Sequence, residues 1–207
     1  MIKSVLIDFD GVLTLDANGT QSICNYICST TGIDKKLFEH EYRKYNADLQ
    51  IGKLIHEDIW KNVCNAVGQY IDISILYDSF INTPINYKML ALVKELKEIG
   101  LKVGMVTDNK ADRIKRIVDY HKWNDIFDGI VVSAEVGSGK TQKAIFYKIF
   151  HILSVNPQEC IFIDNTENNL VVPRELGVTT IFFEHDKNDI FRLRNDLRVS
   201  GLSKLAV

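Results

Sequence analysis

The chain has 207 residues, of which 46% are hydrophobic and 25% are charged, the balance of an ordinary globular protein. Its 25 Lys and Arg against 27 Asp and Glu leave a formal net charge of −2, without the basic excess that nucleic-acid binding proteins use. No apolar run reaches the roughly 20 residues that a membrane-spanning helix needs, and acidic residues interrupt the first stretch too early for a signal peptide. Four cysteines are too few for a disulfide framework. We therefore expect a cytoplasmic protein that contacts neither nucleic acid nor membranes.

Strand and helix patterns alternate along most of the chain. Five short and nearly continuous apolar runs are typical of strands covered on both faces, as in a parallel sheet. These runs lie at residues 4–9, 102–107, 130–133, 160–164 and 178–183. Amphipathic helical patterns lie at residues 87–99, 111–121, 142–153 and 187–197. The alternation predicts an α/β fold with a Rossmann-like parallel sheet at its centre.

The interval between the first two predicted strands is long and has no strand pattern. Four helical patterns fill it, at about residues 20–30, 35–47, 55–67 and 73–81. We interpret residues 15–82 as a small helical cap inserted into an α/β core domain, which comprises residues 1–14 and 83–207. A hinge is expected near residues 14–17 and 82–85, where the chain crosses between the two units.

Within the predicted cap, some side chains are assigned to the interior and others to the surface. Trp60 and Tyr42 are expected to pack in the interior. Lys53 and His56 are expected to lie on the solvated surface.

Two carboxylates follow the first predicted strand. Asp8 and Asp10 are two residues apart, so their side chains project to the same side beyond the carboxyl end of the strand. Open parallel sheets bind ligands at that end. Two neighbouring carboxylates repel each other unless a cation or a shared proton compensates. An Asp-Gly pair after a strand is also an ordinary turn signal, so this pattern alone leaves a structural role open.

Four segments in chain order resemble the sequence motifs of the haloacid dehalogenase-like (HAD) superfamily. They are DFDGVLT at residues 8–14, VTDN at 106–109, SAEVGSGK at 133–140 and FIDNTENN at 162–169. Most members of this superfamily are Mg²⁺-dependent phosphohydrolases, and those of subclass I carry a helical cap between the first two motifs. The resemblance therefore implies a phosphatase with a Rossmann-like core and a cap.

The resemblance also implies a role for each acidic motif residue. Asp8 would be the nucleophile that forms an aspartyl-phosphate, and Asp10 would protonate the leaving group and then accept a proton from water. The Asp8 carboxylate, the Asp10 main-chain carbonyl and Asp164 would hold Mg²⁺, because hard oxygen ligands suit this ion. An acid at position 10 favours a phosphatase over a dehalogenase.

The second and third motifs are expected to bind the phosphate. Thr107 and the backbone N–H of Asp108 would contact phosphoryl oxygens, and Lys140 would neutralise charge on the nucleophile and the phosphate. Three positions depart from the family pattern. Asp108 adds a negative charge near the phosphate. Asn165 stands in place of a second acidic residue, so the metal site has one negative charge fewer. Thr141 replaces a proline, and we expect it to cap the following helix.

Three alternative functions stay open at this point. Residues 134–141, AEVGSGKT, satisfy a loose P-loop pattern between a strand and a helix, with Ala134 in place of the first Gly. Under that interpretation Asp164 would help to hold Mg²⁺, but Asp8 would have no role. A phosphomutase of the same fold and a non-catalytic HAD-like binding module are the other two. The favoured prediction is a phosphatase of a small phosphorylated metabolite, such as a sugar phosphate, acting as a monomer or weak homodimer.

Overall fold

The computed structural model describes residues 1–205, and its centre is a five-stranded parallel sheet. The strands are β1 (Ser4–Ile7), β2 (Lys102–Thr107), β3 (Gly129–Val132), β4 (Cys160–Asp164) and β5 (Thr179–Phe182). They are ordered β3-β2-β1-β4-β5, and every neighbouring pair is parallel. The predicted α/β fold with a Rossmann-like parallel sheet is therefore confirmed.

Helices fill the intervals between the strands, and one helix follows β5. They are α1 (Gly19–Thr31), α2 (Lys35–Arg43), α3 (Asn46–Gln50), α4 (His56–Val67), α5 (Ile73–Ile81), α6 (Tyr87–Glu98), α7 (Ala111–His121), α8 (Ser133–Val136), α9 (Lys143–Leu153), α10 (Val171–Glu175) and α11 (Ile190–Val199). No helix within residues 1–205 is both long and apolar enough to cross a bilayer.

The two faces of the sheet bury alternate residues of each strand. On one face, Leu6 and Phe162 pack with α9 residues such as Phe146. On the other face, Val5 and Ile7 belong to a larger apolar cluster that extends into helices α1–α5. All four residues of β1 are buried, and the last three, Val5, Leu6 and Ile7, are apolar without alternation because both faces of the strand are covered.

Helices α1–α5 all lie in the interval between β1 and β2. Residues 15–82, which the structure describes in full, contribute no strand to the sheet. The two chain crossings run side by side: Leu15 N donates to Pro84 O at 2.8 Å, and Asn86 N donates to Leu13 O at 2.9 Å. The division of the chain into core and cap at residues 14/15 and 82/83 stays a prediction, and these paired crossings are where its hinge would lie.

Several predicted boundaries were wrong by a few residues. Strand β1 ends at Ile7 instead of residue 9, because the chain turns at residues 9–13 through Gly11, whose φ is +79°. The helix predicted at residues 35–47 is two helices, α2 and α3. Thr141 does not cap α9: the helix begins at Lys143, after a turn in which Gln142 N donates to Gly139 O at 3.0 Å.

Candidate active site

Three motif side chains meet at the carboxyl end of the sheet. Ile7 lies beside Ile163 in the register of β1 and β4, so Asp8 and Asp164 follow at the same level. Lys140 reaches them from the segment between β3 and α9. Its Nζ lies 2.7 Å from Asp8 Oδ1 and 2.6 Å from Asp164 Oδ2. All three residues are at most 5% exposed, so the sequence-predicted nucleophile, metal ligand and lysine form one buried ionic group.

The charges in this group are unequal, because two carboxylates share one ammonium. Burial raises the pKa of Asp8 well above its ordinary value, and the charge of Asp164 adds to that effect while Lys140 opposes it. Burial disfavours the ammonium form of Lys140, but the charges of Asp8 and Asp164 outweigh it and raise its pKa. Lys140 is therefore a cation at neutral pH, and its single ammonium cannot neutralise both carboxylates when both are ionised.

The donor set around Asp8 and Asp164 suits a hard divalent cation. Asp164 is fixed by Thr166 N and Asn169 Nδ2, which donate to its Oδ1 at 2.8 and 3.1 Å. Within residues 1–205 no three His, Cys, Asp or Glu side chains converge. Mg²⁺ in proteins is usually bound by one or two carboxylates and keeps several water ligands. Asp8 and Asp164, completed by a main-chain carbonyl and water, would form a ligand set of this kind. A divalent cation would also relieve the repulsion between the two carboxylates.

The carboxylate of Asp10 is engaged by a residue that the sequence analysis missed. Arg113, fully buried in the first turn of α7, donates from Nη1 to Asp10 Oδ2 at 2.8 Å and from Nη2 to Oδ1 at 2.9 Å. Asn109 Nδ2 also donates to Oδ2, at 2.7 Å. Arg113 lies one helical turn before the buried Ile117, and that spacing is the signal that would have placed it on the inner face of α7.

The residues predicted to bind phosphate border the same site. Thr107 is buried at the end of β2, where its Oγ1 accepts a hydrogen bond from Asn109 Nδ2 at 3.3 Å. The Asp108 carboxylate accepts from Lys140 N at 2.9 Å, so it holds the lysine-bearing loop instead of turning away from the site. Burial raises the pKa of Asp108, and the ammonium of Lys140 opposes this rise.

A cavity of about 160 Å³ joins the sheet edge to the helical interval. Its walls include Asp8, Asp10, Thr107, Asp108, Lys110, Lys140 and Asn165 on one side and Arg43, Asn46 and Gln50 on the other. Ligand pockets for drug-sized molecules occupy roughly 300–1,000 Å³. This cavity is therefore sized for a small ligand.

The loop after α3 is docked against the start of α8. Ser133 Oγ donates to Gln50 O at 2.6 Å. Gly52 has a φ of +72°, and a Cβ atom there would lie 2.0 Å from the carbonyl oxygen of Ala134. Only glycine permits this approach, which brings the α3 side of the cavity over the strand ends.

His56 contradicts its predicted place on the surface. It is fully buried at the start of α4, where Nδ1 lies 2.7 Å from Asp112 Oδ2 and Nε2 lies 2.8 Å from the Tyr42 hydroxyl. Burial lowers the pKa of His56, so the ring is neutral at pH 7, with Nδ1–H donating to Asp112 and the Tyr42 hydroxyl donating to Nε2. The prediction failed because the acidic partner comes from α7, far away in the sequence. Tyr42 and Trp60 are buried and Lys53 is exposed, as predicted.

The P-loop interpretation fails on the local structure. Residues 133–136 form a helical turn, α8, that ends at Gly137, whereas a P-loop wraps its backbone N–H groups around a phosphate. Lys140 points to Asp8, which that interpretation leaves without a role.

The sequence matches a family model described as haloacid dehalogenase-like hydrolase over residues 2–177. The chain belongs to this family. The resemblance of the four motifs is thereby confirmed, and so is the prediction that the protein is an enzyme of this kind.

Curated relatives of this HAD-like chain include several phosphatases. Pyrophosphatase PpaX of Bacillus cereus is 24% identical over 182 residues, which cover 86% of this chain and 82% of that protein. Phosphoglycolate phosphatase of Psychrobacter arcticus is 22% identical over 96 residues, 46% of this chain and 42% of that protein. Sesquiterpene phosphatase astK of Aspergillus oryzae is 29% identical over 91 residues, 44% of this chain and 46% of that protein. The chain thus aligns with less than half the length of the last two.

Solved structures of the family share the fold. HAD family enzyme bt-2542 of Bacteroides thetaiotaomicron, in its magnesium complex, is similar with a TM-score of 0.71 and 21% identity, covering 88% of this chain and 93% of that one. A HAD-like family hydrolase of Porphyromonas gingivalis is similar with a TM-score of 0.70 and 17% identity, covering 96% and 98%.

Proposed function

We propose that this HAD-like enzyme is a Mg²⁺-dependent phosphatase that hydrolyses a small phosphomonoester through an aspartyl-phosphate on Asp8. The observation that carries the proposal is the buried group formed by Asp8, Asp164 and Lys140 at the carboxyl end of β1 and β4. A carboxylate beside a permanent cation, at the edge of a small cavity, is suited to attack a phosphate dianion. Relatives named pyrophosphatase and phosphoglycolate phosphatase support the same reaction class.

Asp8, Asp164 and the main-chain carbonyl of Asp10 would hold Mg²⁺, which reduces the repulsion between the Asp8 carboxylate and the phosphate. The repulsion between the Asp8 and Asp164 carboxylates, which raises the pKa of Asp8, is what a bound cation would relieve. Bt-2542, whose fold is similar, has been solved with magnesium and inorganic phosphate.

The first half of the reaction transfers the phosphoryl group to Asp8. A carboxylate oxygen of Asp8 attacks phosphorus while the bond from phosphorus to the ester oxygen breaks, and Asp10 gives that oxygen a proton. Thr107 and the backbone N–H of Asp108 would bind the phosphoryl oxygens, and Lys140 would offset their charge. In the second half Asp10 takes a proton from water, which attacks phosphorus and releases phosphate from Asp8.

The position of Asp10 adds a condition to this scheme. Both of its carboxylate oxygens accept hydrogen bonds from Arg113 in the present structure. When Asp10 is protonated, the oxygen that carries the proton has to face the ester oxygen that receives it, so Asp10 must direct that oxygen to the substrate while Arg113 holds the carboxyl group. We assign Arg113 as the residue that holds Asp10 between the two proton transfers.

The helices that close the cavity support a small substrate. We propose that residues 15–82 act as a cap whose α2–α3 side encloses the ester, since Arg43, Asn46 and Gln50 line the cavity opposite Asp8. A cavity of about 160 Å³ admits a small phosphorylated metabolite better than a folded phosphoprotein.

Replacing Asp8 tests the proposal. Asp8→Asn keeps the shape of the side chain but removes the attacking anionic oxygen, so we expect turnover of an aryl phosphate with Mg²⁺ to fall at least ~10³-fold, or about 4 kcal/mol in barrier height. Asp119→Asn, an exposed carboxylate on α7, is the matched control and should turn over like the wild type. Circular dichroism checks that both variants fold. Near-normal hydrolysis by Asp8→Asn would refute the proposal.

A further inference from the structure

Lys110 is a buried lysine that the proposed phosphatase chemistry does not use. It stands directly before α7, is 3% exposed and lines the same cavity as Asp8 and Lys140. The Nζ atom of Lys110 lies 6.0 Å from the centroid of the Tyr42 ring. Within residues 1–205, no carboxylate lies at ion-pairing distance from Nζ and no hydrogen bond satisfies it. Burying an ammonium without a partner costs several kcal/mol, so its place here calls for a counter-charge.

The acidic groups nearest to Lys110 are already committed to other partners. Asp10 is paired with Arg113 through both carboxylate oxygens. Asp112 accepts from His56 Nδ1 at 2.7 Å and from the backbone N of Arg113 at 2.9 Å. The neighbourhood therefore contains no carboxylate free to pair with Lys110.

Lys110 is also distinct from the groups that would neutralise the transferred phosphate. Lys140 lies between Asp8 and Asp164, where the phosphate is attacked. Lys110 instead adjoins the α2–α3 wall, because Tyr42 and Arg43 belong to α2 and both influence its environment. In the same wall, the side-chain oxygen of Asn46 is buried without a hydrogen-bond partner among the described residues. Lys110 and Asn46 both line the cavity.

We propose that Lys110, assisted by Arg43 of α2, binds a second anionic group of the substrate, a carboxylate or a second phosphate. This rests on the proposed function and narrows its substrate class to small phosphomonoesters that carry two anionic groups. The second group supplies the counter-charge that Lys110 lacks in the protein alone. Arg43, whose guanidinium is half exposed and paired with Glu39, adds a positive potential at the rim without closing the site.

Paired substrates that differ only in the second anion test the proposal. Phosphoglycolate carries a carboxylate where ethyl phosphate carries a methyl group, and the bisphosphate of ethanediol carries a second phosphate. We expect the wild type to favour at least one of these two esters, each of which carries a second anionic group, over ethyl phosphate in kcat/KM. In Lys110→Met, that preference should fall roughly 10- to 100-fold, the range for losing a hydrogen bond between charged groups. The ester that loses more identifies the second anion as carboxylate or phosphate.

Two variants serve as controls. Lys115→Met removes an exposed lysine of α7 that is paired with Asp119, so the preference should match that of the wild type. Lys110→Arg keeps the charge and should restore part of the preference. Equal preferences in Lys110→Met and the wild type would overturn the proposal, and so would an equal loss for all three esters, which would place Lys110 on the transferred phosphate.

A binding measurement separates this proposal from the phosphatase assignment. By calorimetry, 3-phosphonopropionate should bind the wild type more tightly than propylphosphonate, and Lys110→Met should abolish that difference. Neither probe can be hydrolysed, so the result stands even if no ester is turned over. Absence of hydrolysis would refute the phosphatase, whereas equal affinities for the two phosphonates would refute the second-anion site.

Discussion

A lysine buried without a counter-charge should destabilise the protein that contains it, and Lys110 allows the size of that effect to be worked out. Burial, with the nearby charge of Arg113, lowers the pKa of Lys110 from 10.5 to about 8. At about 1.4 kcal/mol per pKa unit, this fall corresponds to roughly 3 kcal/mol of lost folding free energy near neutral pH. Lys110→Met fills the same space without a charge, so we expect it to raise the free energy of unfolding by up to about 3 kcal/mol.

The pH dependence has a definite sign. Below pH 8 the amine is protonated in both the folded and unfolded states, and the full penalty applies to the wild type. Between about pH 8 and 10.5 the unfolded state binds the proton and the folded state does not, so the penalty disappears as pH rises. The advantage of Lys110→Met should therefore be largest near neutral pH and shrink towards about pH 10.

Urea unfolding of the wild type and Lys110→Met, near neutral pH and at about pH 10, measures this effect. Lys115→Met is the reference for titration elsewhere in the chain. For a chain of this length, about 3 kcal/mol corresponds to roughly 6–12 °C in Tm. A Lys110→Met protein that is no more stable than the wild type near neutral pH would refute the reasoning. A stability gain that is the same at both pH values would show that packing, and not the buried charge, is responsible.

The other predictions concern Arg113, Gly52 and the metal. Arg113→Met leaves the Asp10 carboxylate without its cation and should lower the free energy of unfolding by about 3–5 kcal/mol in a urea titration; an unchanged midpoint would contradict the buried ion pair. Gly52→Ala should displace the loop from Ala134 and raise KM for a small ester more than it lowers kcat, since the cavity loses its α3 wall; an unchanged KM would separate this loop from substrate binding. Dialysis against EDTA should abolish turnover and added Mg²⁺ should restore it; full activity in EDTA would exclude the proposed metal role.

The sequence was sufficient to predict the fold, and the resemblance to the HAD motifs supplied the candidate site residues. The position of Asp8 and Asp10 at the carboxyl end of a strand follows from the pattern of residues, whereas Thr107 and Asp164 were expected beside them because their segments resemble HAD motifs. Lys140 was identified by its motif, and the loop that carries it is short enough to reach the strand ends. The strands and helices follow from local periodicity, and the site residues follow from the resemblance to the motifs.

The residues that the sequence analysis missed depend on packing between distant helices. Arg113 and Lys110 are ordinary polar positions at the start of an amphipathic helix, and only the packing of α7 against α5 and the segment after β1 buries them. His56 is buried because α4 meets Asp112 of α7, a contact between residues 56 positions apart in the chain. No local sequence pattern distinguishes such residues from solvent-exposed ones, so only the three-dimensional structure identifies the residues that they contact.

Direct detection of the phosphoenzyme tests the central claim. A substrate ester is mixed with the enzyme and Mg²⁺, quenched in acid during turnover and reduced with borohydride, which converts an aspartyl-phosphate into homoserine. Mass spectrometry of the peptide that contains residues 4–14 should then find homoserine at position 8, and none in Asp8→Asn or without substrate. Homoserine at another carboxylate, or none at any position while phosphate is being released, would contradict nucleophilic attack by Asp8.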